Sequence, residues 1–277
     1  MIMAGQNHDR RGSAGGRPCD DGSVRVLIPL PDRDFDVTEV AVPWRLLRDA
    51  GHQVVFATEQ AGTVPAADPR LLTGVIFGQL GAAAEARAFY SELTKATEFT
   101  STLGWAGLDP AAFDGLLLPG GHAPGMRQYL GSPVLREQVA RFWALGRPVA
   151  AICHGVLVLA RTRDAATCRS VLADRRTTCL PRYMERAAWL ATGWRLGRYY
   201  RTYPAYVQDE VEAALDDPAS QFQRGPLTRT ARGTARDVTA GCTVADRNYL
   251  SARWPGDAYL FALRFCDLLQ SPAAPAR

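Results

Sequence analysis

Residues 147–155 read Arg-Pro-Val-Ala-Ala-Ile-Cys-His-Gly. The apolar run before Cys153 is short and uninterrupted, which is typical of a strand buried on both faces of a parallel sheet. Cys153-His154-Gly155 ends the run, and Val156 to Arg161 continues with a helical pattern. This strand–turn–helix arrangement predicts an α/β fold in which a cysteine occupies the turn.

The beginning of the chain predicts a βαβ unit. Val24 to Leu30 is a short, β-branched, apolar run closed by Pro31-Asp32, which indicates a buried strand. We expect a helix to begin at Thr38 and to end before Gly51, and a second strand to cover Gln53 to Ala57. Strand, helix and strand in so short a stretch favour parallel pairing with a right-handed crossover.

The alternation of strands and helices resumes in the second half of the chain. The further predicted elements are strands at 113–118 and 147–152, a short strand at 176–179, a strand pair at 238–250, and helices at 134–145, 183–194 and 255–269. The pattern predicts an α/β fold of the flavodoxin-like kind, with a doubly wound, mostly parallel sheet and helices on both faces.

A single domain is expected over residues 24–270. Residues 1–23 are rich in Gly, Arg and Asp and are predicted to be a disordered tail, as is the short segment 271–277. Residues 59–112 fit the alternation less well, with a helical stretch at 82–97, and we interpret them as an insertion that caps the site.

Charge and cysteine spacing exclude several classes of function. The 32 basic and 28 acidic residues leave a net charge of +4 without a basic block, so no nucleic-acid partner is predicted. No segment is apolar and long enough for a membrane span or a secretory signal. The six cysteines form no CxxC pair and no Cys/His cluster, which predicts a cytoplasmic protein without a zinc site.

Cys153 is the candidate nucleophile. At the end of a parallel strand its side chain would face the edge of the sheet where ligands bind. The positive end of the following helix is expected to lower the pKa of the thiol. The alternative is a buried structural cysteine. We prefer that alternative for the other cysteines within the predicted domain, at positions 168, 179, 242 and 266.

A glycine pair follows another predicted strand, in Leu118-Pro119-Gly120-Gly121-His122. Gly120 and Gly121 would let the backbone approach a ligand and turn N–H groups toward an oxyanion. A tight turn is the alternative interpretation. Of the four histidines, His122 and His154 are the two plausible site residues, because both adjoin these motifs.

These motifs resemble the ThiJ/PfpI superfamily, also described as class I glutamine amidotransferase-like. The resemblance rests on segments spread between Val24 and Leu269: residues 36–39 with Pro43, 118–122, 151–155 and 251–257. The superfamily hosts several reactions, so the resemblance implies the fold more firmly than the activity. No histidine follows His154, so the downstream histidine of a glutamine amidotransferase is missing here.

Within the superfamily, the chain is most similar to the chaperone-like glyoxalase III subgroup. That resemblance implies Cys153, His154, Glu185 and Glu39 as catalytic residues, with Glu185 orienting His154 and Glu39 sharing a proton with the sulfur. It also implies a homodimer. The resemblance implies a reaction without a cofactor, and we expect no metal, because Trp44 and Arg45 occupy the region where some members hold metal ligands.

Three functions remain open from the sequence. The favoured one is a cofactor-independent conversion of a small 2-oxoaldehyde to a 2-hydroxy acid. The second is a specialised lyase, hydratase or amidase for a bulkier substrate, with the aromatic stretch Tyr199–Tyr206 roofing the pocket. The third is a noncatalytic thiol sensor or chaperone-like protein.

Overall fold

The computed structural model describes residues 23–75, 80–227 and 231–271. The predicted tails at 1–23 and 271–277 therefore lie, apart from Ser23 and Ser271, outside the described residues. Across the described ranges, no helix is both long and apolar enough to cross a bilayer.

Short strands form the centre of the molecule. In the described parts of the chain they are β1 (Arg25–Pro29), β2 (Arg33–Phe35), β3 (Gln53–Thr58), β4 (Ala66–Ala67), β5 (Leu103–Gly104), β6 (Gly115–Leu118), β7 (Val149–Ile152), β8 (Thr243–Asp246) and β9 (Tyr249–Ala252). β6 and β7 are buried along their whole length, as the continuous apolar runs predict.

Seven of these strands form one sheet in the order β5-β3-β1-β6-β7-β9-β8. The central order β3-β1-β6-β7-β9 is the flavodoxin-like order, and all pairs are parallel except β8 with β9. The strand order reverses between β1 and β6, so the carboxyl ends of these two strands border the crevice where such sheets bind ligands.

The α-helices of the described residues are α1 (Val37–Asp49), α2 (Pro69–Thr73), α3 (Ala84–Leu93), α4 (Thr97–Thr100), α5 (Met126–Gly131), α6 (Pro133–Trp143), α7 (Val156–Arg161), α8 (Arg182–Leu196), α9 (Val207–Glu212), α10 (Pro218–Gln221) and α11 (Ala258–Gln270). Five short 3₁₀ helices add to them in the same parts of the chain, one at the turn Cys153–Gly155.

Neighbouring residues of β6 show that helices cover both faces of the sheet. A side chain at Gly115 would meet Phe265 and Leu269 of α11. Leu116 instead lines a small apolar space together with Leu135 of α6. Because successive residues of a strand point to opposite faces, α11 and α6 lie on opposite sides of the sheet. The predicted doubly wound architecture is confirmed.

Two predictions about local structure need correction. Residues 176–179 form no strand; Thr177 makes only an isolated bridge with Phe222. Side chains of β9 hold this segment instead, since Tyr249 Oη bonds Thr177 Oγ1 and Ser251 Oγ accepts the Thr178 N–H. The segment 59–112 is also more than an insertion, because its strand β5 pairs with β3 at the edge of the main sheet.

A fully buried ion pair fixes the connection between β9 and α11. Arg253 and Asp257 are both inaccessible to solvent, and Arg253 Nη2 lies 2.9 Å from Asp257 Oδ1. Asp257 also accepts the Arg253 N–H and the Cys242 N–H, and Arg253 Nη1 donates to Pro226 O. The pair therefore ties the segment before β8 to the start of α11.

We expect the change Asp257→Ala to lower the free energy of unfolding by about 3–5 kcal/mol, because it leaves the Arg253 guanidinium buried and unpaired. The matched control is Asp267→Ala, which removes the solvent-exposed partner of Arg264 on the same helix and should change stability little. Urea unfolding of both variants measures the difference. Equal losses would contradict the structural role given to the buried pair.

Candidate active site

Cys153 lies in a strained turn between β7 and α7. Its φ is +57°, a conformation that non-glycine residues seldom adopt, and its side chain is 5% exposed. A side chain at Gly155 would come within 2.2 Å of Leu118 O, so the turn can pack against the end of β6 only with glycine there. The sequence Cys-His-Gly thus folds into the predicted elbow.

The glycine pair after β6 lies directly beside this elbow. A side chain at Gly120 would come within 2.7 Å of His154 N and 2.9 Å of Glu39 Oε2. The Gly120 N–H is not directed at the cavity; it donates to Glu39 Oε2 over 2.8 Å. Gly121 lines the cavity, and its N–H has no hydrogen-bond partner among the described residues. Gly121 is therefore the member of the pair whose N–H is free for a ligand oxygen.

Two carboxyl groups at the start of α1 face the thiol. Asp36 caps the helix by accepting the Thr38 and Glu39 N–H groups, and its own N–H donates to Gly120 O. Glu39 is fully buried, and its Oε1 has no partner within the described structure. Burial, and then the charge of Asp36, raise the pKa of Glu39 well above its usual range. Burial raises the pKa of Asp36 to about 6.

The pKa of Cys153 is raised, which contradicts the prediction that the helix end would lower it. Burial is the largest cause, followed by the charges of Glu39 and Asp36. The following helix α7 has only six residues and starts beyond a 3₁₀ turn, so its dipole does not outweigh these effects. The resting site therefore favours the thiol over the thiolate.

His154 is buried next to the thiol. Its Nδ1 lies 3.4 Å from Cys153 Sγ, and its ring is tilted against Tyr203 at 6.0 Å. Burial, and then the nearby Arg161, lower the pKa of His154 to about 3, so the imidazole is neutral.

The structure gives Glu185 a different partner from the predicted one. Glu185 lies in the first turn of α8, and its Oε2 accepts the Val207 N–H at 3.1 Å instead of holding His154. The start of a helix leaves its first N–H groups without internal partners, and here α9 offers one of them to the carboxylate. Burial raises the pKa of Glu185 to about 7.

His122 packs in the aromatic segment that the sequence singled out. Its ring is stacked on Tyr200 at 4.2 Å and meets the edge of Tyr199 at 4.6 Å. Thr202 Oγ1 also donates to His122 O. Burial, and then the His154 charge, lower the pKa of His122 to about 3. The segment 199–206 therefore contacts the site, and Tyr200 lines its cavity.

A cavity of about 390 Å³ brings most of these residues together. Cys153, Gly121, His122 and Glu185 line it, whereas Glu39 lies behind Gly120 against the sulfur. Several further lining residues were not expected at the site from the sequence: Asp36, Thr38, Leu71, Ala82, Tyr183, Met184, Arg232 and Trp254. Leu71 and Ala82 come from the segment 59–112, so that segment supplies part of the wall.

The sequence contains evidence for two of these additional lining residues. Asp36 precedes a helix in the manner of an N-cap, and Trp254 belongs to the segment 251–257 that carries the resemblance. Nothing in the local pattern marks Arg232 or the face of α8. In the structure's described portion, no three His, Cys, Asp or Glu side chains are grouped to hold a metal ion.

Comparison with known proteins shows similarity along most of the chain. A family model described as ThiJ/PfpI family-like matches residues 30–226. An uncharacterised protein of Schizosaccharomyces pombe is 29% identical over 90% of this chain and 85% of its own length. A deglycase of Pyrococcus abyssi is 25% identical over 89% of this chain and its whole length.

Solved structures share the fold. The crystal structure of glyoxalase III from Candida albicans superimposes with a TM-score of 0.63 over 89% of this chain and 98% of that chain. Because the two sequences are only 18% identical, this similarity describes the fold and not the reaction.

We expect Glu185 to make the protein less stable as the pH rises. A carboxyl group whose pKa increases from 4.5 to about 7 on folding binds its proton more tightly in the folded state. Its contribution is thus fully present below pH 4.5 and is lost as the pH rises through about 7. Between these pH values, the free energy of unfolding should fall by about 2–3 kcal/mol less in Glu185→Gln than in wild type.

Urea unfolding at several pH values measures this slope. The amide that replaces the carboxyl in Glu185→Gln keeps an oxygen for the Val207 N–H, and Glu137→Gln, on an exposed part of α6, is the control. An unchanged slope in the Glu185 variant would show that this carboxyl titrates normally in the fold.

Proposed function

Because this chain belongs to the ThiJ/PfpI-like family, we propose that it is an enzyme in which Cys153 attacks a 2-oxoaldehyde and releases a 2-hydroxy acid without a cofactor. The observation that carries the proposal is the elbow thiol, which lines a cavity with the buried Glu39 beside it. A nucleophile that is a thiol at rest must lose its proton as it attacks, and Glu39, whose pKa is also raised, is the adjacent group that can accept this proton while it passes its own to the substrate.

The reaction that we propose is an internal redox reaction with addition of water. Cys153 Sγ bonds to the aldehyde carbon, and the thiol proton passes to the aldehyde oxygen, giving a hemithioacetal. A base then removes the proton on that carbon, and a proton is returned to the former ketone carbon. The first carbon is oxidised to a thioester while the second is reduced to an alcohol. Water cleaves the thioester, which frees the 2-hydroxy acid and restores the thiol.

Each protein group has a defined part in these steps. Glu39, held by the Gly120 N–H, moves the protons between sulfur and substrate carbons. We assign the Gly121 N–H, which has no partner among the described residues, and the His154 N–H, which adjoins Cys153, to the oxygen that becomes negatively charged on attack. Glu185, with a pKa raised by burial to about 7, is a second proton carrier on the cavity wall. His154 keeps a neutral ring at the sulfur.

The names of the relatives favour a second candidate. Several relatives are deglycases, and in an early adduct between a 2-oxoaldehyde and an amine the same thiol could attack the former aldehyde carbon, which carries the amine, to give the same hemithioacetal. The amine would leave, and the same 2-hydroxy acid would form. A thiol-sensor function is less compatible with the site, because oxidants attack thiolates and the pKa of Cys153 is raised.

We expect Cys153→Ser to abolish formation of lactate from methylglyoxal, since the hemithioacetal and the thioester both need the sulfur. Glu39→Gln should lower kcat by about 10²–10⁴-fold, the usual contribution of a positioned proton carrier. The matched control is Cys168→Ser, which changes an exposed free cysteine and should leave turnover unchanged. Lactate is measured by chromatography in the absence of metal and glutathione.

Full activity in Cys153→Ser would refute the proposed mechanism. Release of free amine from a preformed methylglyoxal–amine adduct, faster than the adduct's own dissociation to methylglyoxal, would instead establish the second candidate.

A further inference from the structure

We propose that the substrate of this site is an uncharged 2-oxoaldehyde with a bulky apolar side group, aryl or branched alkyl, seated against α8. The inference rests on the proposed function and names the substrate class for it. It depends on three features of the cavity wall: an apolar helix face, the space above that face, and the balance of charges around it.

One face of α8 lines the cavity instead of the protein core. Tyr183, Met184, Ala187, Ala188 and Ala191 recur at intervals of three and four residues, and all of them line the cavity. Residues at this spacing share one helix face. Along this helix, which the structure describes from end to end, the only buried side chains are Glu185 and Thr192. The apolar face of α8 therefore borders the cavity and can cover the apolar part of a ligand.

The space beside this face exceeds what a three-carbon substrate fills. Three of the five cavity-lining residues on this face are alanines, whose side chains are small. Leu71, Leu180 and Trp254 are further apolar residues of the cavity wall. The volume of about 390 Å³ falls within the range of roughly 300–1,000 Å³ that accommodates drug-sized ligands. Methylglyoxal has a single methyl group to place against these side chains, so most of this apolar wall would stay in contact with water.

The charges on the wall argue against an anionic substrate. The charged residues that line the cavity, within the described ranges, are Asp36, Glu185 and Arg232. The Arg232 guanidinium lies over the Trp254 ring at 5.0 Å, and its charge favours the ionised form of Asp36. Arg232, the cation among the described lining residues, is thus already balanced by the Asp36 carboxylate. The wall therefore has no excess positive charge for a phosphate or carboxylate on the substrate.

Turnover of three substrates tests the inference. We expect kcat/KM for phenylglyoxal to exceed the values for methylglyoxal and for 4-carboxyphenylglyoxal by about tenfold or more. The product is measured as the 2-hydroxy acid, because phenylglyoxal also reacts with arginine side chains and substrate loss would overstate turnover.

A variant that fills the cavity distinguishes binding of the substrate's side group from the intrinsic reactivity of the aldehyde. Ala188→Phe places a ring in the space above α8 and should reduce the phenylglyoxal value by about tenfold while changing the methylglyoxal value less than about threefold. The control is Leu190→Phe, on the same helix but outside the cavity and 61% exposed, which should change neither value. Preference for methylglyoxal in the wild type, or equal losses for both substrates in Ala188→Phe, would overturn the inference and leave the proposed function standing.

If no 2-oxoaldehyde is turned over, the proposed function fails, and a binding measurement decides the inference separately. Acetophenone cannot be converted to a 2-hydroxy acid but has the same aryl ketone. Protection of Cys153 from iodoacetamide by acetophenone in the wild type, lost in Ala188→Phe, would support the apolar subsite. Alkylation of the Cys153 peptide at the same rate with and without acetophenone would overturn it.

Discussion

The close approach of two strand ends is the constraint on which the site depends. Gly155 packs against Leu118 O, and Gly120 packs against His154 N, at distances that leave no room for a side chain at either position. This approach lets the Gly120 N–H reach Glu39 Oε2 while Cys153 faces the cavity. Three elements that are far apart in the chain, the start of α1 and the ends of β6 and β7, are thereby brought to one point.

The electrostatics of this point follow from burial more than from any single contact. Asp36, Glu39 and Cys153 are acids in a region with little access to water, and burial is the largest cause of the raised pKa of each. A low-dielectric site does not favour three ionised acids close together. Protons are therefore retained within the cluster, and in the proposed reaction a bound electrophile would receive one from the sulfur by way of Glu39. Such coupling suits a reaction that moves protons between two adjacent carbons.

Sequence periodicity was sufficient to place the main strands and helices and the elbow, because each of these is local in the chain. The strands β1, β3, β6 and β7 and the helices α1, α6 and α11 lie close to their predicted bounds. The two-residue strands β4 and β5 are too short to show any period. Residues 176–179 have strand composition, but their bonds go to side chains of β9, which a local pattern cannot reveal.

Several residues of the predicted site lie at one cavity, but their interactions were predicted less well. Cys153, Gly121, His122 and Glu185 meet at one cavity, yet the pKa of the thiol moves in the direction opposite to the local argument from the helix dipole. That argument considered the following helix alone, whereas burial and the carboxyls of α1 act across the fold. The partner of Glu185 was missed for the same reason, because Val207 becomes its neighbour only when α9 packs near α8.

Two parts of the cavity wall are held by different contacts, and this difference has a consequence for specificity. The part of the wall at Cys153 is built on buried strands and on glycine contacts that tolerate no side chain, so its geometry is fixed by the core. Another part of the wall is a face of α8, a helix with few buried side chains, whose Glu185 contacts the Val207 N–H. Side chains on that face can change in size without disturbing the elbow. For the proposed reaction, the substrate's side group would therefore be selected at the apolar face of α8 without a change at the elbow, because this face lines the cavity while the strand ends that fix the sulfur pack against one another.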